Sequence, residues 1–137
     1  MKIRIDNETY KYVLKLIRNL ERYKKERDEL KIDIIESSPG MSDGQPRGNQ
    51  TSDSTASKTI RMDTNKRIHW LENIIETLEN IYNRLDNQSK DVWNRVIIKR
   101  ENPNILEYEI GMSRATIYRT RKYISILCAV ELGILKI

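Results

Sequence analysis

Two apolar stripes at helical spacing constrain this chain more than any other feature. Val13, Leu16, Leu20, Tyr23, Arg27, Leu30 and Ile34 step by three and four, and so do Ile68, Leu71, Ile75, Leu78, Tyr82 and Leu85, with Ile74 and Ile81 widening the second stripe. Residues three and four apart stack on one face of an α-helix. No segment alternates convincingly with the period of two that a half-buried strand requires. The chain is therefore expected to be all-α. The stripes match in length and spacing, so the economical arrangement is a long antiparallel helical hairpin in which each stripe buries the other. Its first helix falls in residues 1–36, from about Asn7 to Glu36. Its second falls in residues 58–86, starting near Ser54 or Ser57 and ending near Leu85. Arg27 interrupts the first stripe, where its stem can cover apolar surface while the guanidinium reaches water.

Between the two helices the pattern stops. The segment Ser37 to Ser54 holds three glycines, two of the three prolines and almost no apolar residue. Such a composition cannot bury a core, so residues 37–57 are expected to form a mobile connector. It lacks the Gly-Lys-Ser/Thr ending of a phosphate-binding loop.

Residues 87–137 read as a separate helical module. After the polar break Asp86-Asn-Gln-Ser-Lys, a helix from about Ser89 to Arg100 would turn Val92, Trp93, Val96 and Ile97 inward. Pro103 ends it, because proline has no N–H to continue the ladder. A short helix then leads to Gly111, which can adopt the left-handed conformation that closes a helix. Ser113 can cap the next helix by accepting from a free backbone N–H. Leu106, Ile110, Met112 and Ile117 are the positions that would lock these two helices together. The last helix runs through Ile124, Leu127 and Cys128 to Gly133, and the apolar tail Ile134-Leu-Lys-Ile packs back.

A short helix, a glycine turn and a longer basic helix make the layout of a helix-turn-helix DNA reader. With Ile117 inward, Arg114 and Ala115 face outward from the first turn, and Tyr118 and Arg119 from the next. Arg114 and Arg119 can form bidentate bonds to guanine. Tyr118 can stack on or bond a base edge or phosphate. Ser113 and Thr116 lie at the helix N-terminus, where hydroxyls and N–H groups bind phosphate. Lys122 would meet the DNA backbone, while Arg121 rotates toward the core side. Glu107 stands where such helix pairs usually carry a small residue. Either the crossing is wider than usual or Glu107 tilts outward.

Charge agrees with this placement. The net charge is +5, and residues 88–137 carry nine bases against five acids, while residues 1–36 carry ten against eight and residues 37–87 six against seven. A basic excess concentrated at one end suits a terminal DNA-binding module. The single cysteine, Cys128, excludes an intramolecular disulfide and multi-cysteine zinc sites; it sits on an apolar face as a small core residue. His69 has no second histidine to share a metal. No metal and no cofactor is expected. Glu72, Glu76 and Glu79 have no nucleophile or orienting partner, so the chain is not expected to be an enzyme. Its first residues lack the apolar run of a secretory signal and no window approaches the apolar length of a membrane span, so a cytoplasmic location is expected.

The chain resembles the RinA/ArpU-type phage late-gene transcriptional activators, whose C-terminal module is similar to region 4 of bacterial sigma factors. The features that carry the resemblance are Met112-Ser-Arg-Ala-Thr-Ile-Tyr-Arg-Thr-Arg, Ala129-Val-Glu-Leu-Gly133, Tyr23-Lys, Asp33-Ile-Ile-Glu-Ser-Ser and Thr51-Ser-Asp-Ser-Thr. The resemblance implies promoter binding by the C-terminal helices in a bacterial host cell. It also implies activation of a packaging or structural operon and contact with host RNA polymerase. In such a module the base-facing positions correspond to Arg114, Ala115, Tyr118 and Arg119. Two other functions fit the residues. A phage small terminase subunit would form a ring and bind packaging-site DNA, and a non-catalytic helical adaptor would bind another protein through the hairpin. The oligomeric state is left open.

Overall fold

The computed structural model describes residues 4–36 and 50–135, and the regular structure among them is entirely helical. Six α-helices follow in order: α1 (Asn7–Arg18), α2 (Leu20–Glu36), α3 (Gln50–Arg84), α4 (Asn87–Asp91), α5 (Pro103–Ile110) and α6 (Arg114–Glu131). A π-helical stretch, Val92–Ile98, follows α4 directly. Among the described residues no helix is long and apolar enough to cross a membrane. Of the expected connector, residues 37–49 lie outside the described set. From Gln50 onward the chain is already helical, earlier than the expected start near Ser54 or Ser57.

Contacts divide the chain into two compact units, residues 1–20 with 74–137, and residues 21–73. The first unit contains α1, the end of α3, and everything that follows. Asp6 opens α1 by accepting from the Thr9 N–H at 3.2 Å. The Thr9 hydroxyl first, and then this N–H bond, hold its carboxyl below the usual carboxylate range. The helix buries Val13, Leu14, Leu16 and Ile17. It stops at Asn19, so the single helix expected over residues 7–36 is two. Asparagine is a poor interior helix residue because its side chain competes for backbone hydrogen bonds.

The core of this unit is built from Val13, Leu16 and Ile17 of α1, Leu78 and Ile81 of α3, the π-helical stretch, and Ile117, Ile124, Cys128 and Ala129 of α6. Trp93 is its largest fully buried side chain, at 2% exposure. Its ring meets Tyr82 at a centroid distance of 5.5 Å. The Tyr82 hydroxyl accepts from Asn94 at 3.0 Å, which leaves that polar tip satisfied. Burial pushes the Cys128 thiol up to about 12, so it stays a protonated core residue.

The regular helix expected from Ser89 to Arg100 is wound more widely than an α-helix. Lys99 donates to Asn94 O at 3.1 Å, five residues back. Val92, Trp93, Val96 and Ile97 still share the inward side, because a spacing of one, three and four fits both windings. Just after this stretch Arg100 takes a left-handed backbone with φ 55°, a conformation that disfavours a residue with a Cβ. Asn102 then caps α5 through its bond from the Asn104 N–H, with Pro103 in the first turn.

The second unit holds α2 and the beginning of α3. Tyr23 meets the Trp70 ring edge-on at 5.5 Å. Arg67 lies 4.5 Å from the same ring and grips Glu26 with two bonds of 2.8 and 3.1 Å. Lys31 pairs with Glu72 at 2.8 Å, which holds the Glu72 carboxyl below its usual range through the Lys31 hydrogen bond. The partners do not run steadily in opposite directions. They fall from 70 to 67 as the first helix goes from 23 to 26, and rise to 72 at 31. The described contacts therefore mark a local crossing. Beyond it Leu30 and Ile34 are half-buried, and Ile32 and Ile35 are exposed.

Candidate nucleic-acid interface

The α5–α6 pair is positioned by local chemistry. Gly111 closes α5 at φ 77°, donating to Glu107 O at 3.2 Å. A Cβ added there would meet nothing within 4 Å, so the requirement for glycine is conformational rather than steric. Ser113 caps α6 by accepting from the Thr116 N–H at 3.2 Å, and its hydroxyl also bonds the Thr116 hydroxyl at 2.8 Å. Leu106, Met112 and Ile117 are buried between the helices and the core, and Ile110 is half-buried.

Glu107 has a role at this turn that the sequence did not indicate. It is half-buried, and its carboxylate accepts from the backbone N–H of Arg114 at 2.5 Å. A residue of one helix thus caps the next, placing a negative charge at the positive end of the α6 dipole. The first-turn N–H groups of Arg114 and Thr116 are satisfied within the protein. Glu107→Ala is expected to lower stability by roughly 0.5–2 kcal/mol, the usual range for losing a cap, with Glu107→Gln losing less because an acceptor remains. Thermal unfolding of both variants checks this ordering.

Ile117 is completely buried. At 100° per residue, Arg114, Ala115, Tyr118, Arg119 and Lys122 then span an arc of about 140° on the opposite side. All five are exposed, as are Ser113 and Thr116. The seven residues expected at an interface are thus all accessible; five share this arc, while Ser113 and Thr116 stand at the start of α6 outside it. Arg114 leans back toward α5, where one guanidinium nitrogen donates to Asn104 Oδ1 at 2.8 Å. No acid among the described residues pairs with Arg119 or Lys122.

Arg121 is half-buried at the margin of that face. Its guanidinium lies 5.0 Å from the Tyr118 ring and 5.8 Å from the Tyr10 ring. Beside it lies a cleft of about 490 Å³ lined in part by Arg18, Arg100, Glu101, Tyr118 and Arg121. Arg18 donates from Nε to Ile97 O at 2.7 Å. Its pKa is lowered by burial first, and then by the positive charges of Arg100 and Arg121.

Arg95 anchors the neighbouring turn, with two 3.0 Å bonds to Glu101 and a further ion pair to Glu109. Those bonds raise the Arg95 pKa and lower that of Glu101. Sequence reasoning missed Arg18 and Arg100. Arg18 reaches this place from another helix, and nothing in its own segment signals that. Comparison of the chain with protein-family models, with curated proteins and with solved structures finds no match.

Proposed function

We propose that the chain is a sequence-specific DNA-binding protein that reads the major groove with α6, using α5–Gly111–α6 as a helix-turn-helix. One observation carries this reading: burial of Ile117 leaves Arg114, Tyr118, Arg119 and Lys122 together on one exposed, base-rich face. A helix presenting arginines at this spacing matches the donor needs of guanine edges and flanking phosphates. The resemblance to RinA/ArpU-type activators extends the reading to activation of phage late genes, with promoter DNA and host RNA polymerase as partners.

Selection of bound sequences from random duplex DNA tests the proposal. A recovered motif bound with steep loss of affinity as salt rises is the expected result. Weak binding without sequence preference would overturn it. Ile32 and Ile35, exposed on α2, favour a second reading, in which this helix also docks a partner protein or another copy. Light scattering separates the cases: a monomer or dimer fits an activator, and a large ring fits a small terminase subunit.

A further inference from the structure

We propose that the cleft between α1, the turn at Arg100 and α6 is an oxyanion site that takes a phosphate group, held by Arg18, Arg100 and Arg121. The three arginines come from different segments of the chain and line one concavity. One acid, Glu101, shares it, and both of its carboxylate oxygens are already held by Arg95. The cleft therefore carries an excess of positive charge that the protein does not itself neutralise. Converging like charges repel one another, and an arrangement of this kind is stabilised when an anion enters.

Two further details separate this cleft from an ordinary basic surface. The Arg121 Nε is buried without a hydrogen-bond partner. Such an N–H is costly to leave unpaired and calls for an explanation. The guanidinium lies against two aromatic rings, Tyr118 and Tyr10, and neither ring offers this N–H an oxygen acceptor. Arg100 stands on a left-handed backbone, and strained backbone at a charged position is characteristic of a functional site.

The phosphate has two possible sources, a phosphodiester of DNA lying alongside α6 or a free phosphorylated compound. The site does not depend on the major-groove reading, and one experiment keeps the two apart. The side-chain Nε–H resonances of the full chain are followed by NMR while inorganic phosphate replaces chloride at constant ionic strength. Arg121→Gln assigns the Arg121 signal. The expected result is a saturable shift of that signal. Arg100→Gly should weaken it by about tenfold, the loss of one charge-assisted bond. Glycine tolerates the left-handed backbone, so unfolding would not explain the weakening. A shift that grows linearly, equals that seen with chloride, or survives Arg100→Gly unchanged would overturn the site.

A short duplex is then titrated into the same sample. If it moves the Arg121 signal and phosphate competes, the source is a phosphodiester. If it moves only signals of the outer α6 face, the source is a free phosphate compound. If it moves nothing, the DNA reading falls while the phosphate site stands on its own result.

Discussion

Replacing Trp93 with alanine is expected to destabilise the unit formed by residues 1–20 and 74–137 by roughly 3–5 kcal/mol, the range for truncating a buried aromatic. The size follows from position. Trp93 is 2% exposed and packs against Tyr82, in a stretch whose other inward residues, Val92, Val96 and Ile97, are buried with it. Truncation removes apolar burial and opens a cavity that neighbouring side chains in a close-packed interior cannot fill. Loss on this scale is a large part of the total stability of a domain this size. Urea unfolding followed by circular dichroism measures it. With a slope of about 1–3 kcal/mol per molar, the midpoint should fall by about 2 M. The variant retains Trp70 as its one tryptophan. Trp70 belongs to the other compact unit, beside Tyr23 and Arg67, so its fluorescence reports whether that unit unfolds separately. A loss below about 1 kcal/mol, typical of surface substitutions, would mean that the indole is not part of a tight core.

The helical class was legible because it rests on spacing alone. Ile68, Leu71, Ile75 and Leu78 recur at the helical period and are all buried. Termini whose signals are local were legible too. Gly111 and Ser113 act through their own backbone and side-chain chemistry, and the structure uses them as the sequence suggests. What was hidden depends on partners far along the chain or on choices that the pattern does not distinguish. The π-helical winding of Val92–Ile98 leaves the inward residues where an α-helix would, so the apolar pattern is blind to it.

The role of Glu107 requires knowing that the turn brings the start of α6 back over its carboxylate. Arg18 and Ile97 are 79 residues apart, and no motif joins them. The extent of the first stripe was over-read. Leu30 and Ile34 keep the helical period, yet they are only half-buried, because periodicity says which face is apolar and not what covers it. At the candidate interface the arc of exposed residues followed from Ile117 alone. The flanking arginine cleft did not, because it is assembled from tertiary packing.

The double substitution Arg114→Ala with Arg119→Ala should weaken binding to the selected DNA site by roughly 2–6 kcal/mol, taking 1–3 kcal/mol for each bidentate guanine contact. That corresponds to about thirty-fold at the low end and more than four orders of magnitude at the high end. The two contributions should add approximately, since the side chains lie more than one helical turn apart and share no partner. Both residues are exposed, so stability should change by less than about 0.5 kcal/mol for each. A DNA defect would then not be a folding defect.

Lys122→Ala provides the contrast. If it meets a phosphate, it should weaken specific and non-specific duplexes alike and reduce the slope of log affinity against log salt by about one. The arginine pair should instead reduce the preference for the selected site over random DNA, because base contacts carry sequence information and phosphate contacts do not. Fluorescence anisotropy with both duplexes at several salt concentrations measures all of these quantities. If the arginine pair lowered affinity equally for both duplexes, Arg114 and Arg119 would be backbone clamps, and sequence would have to be read elsewhere. If neither duplex responded, α6 would not be the surface that meets DNA.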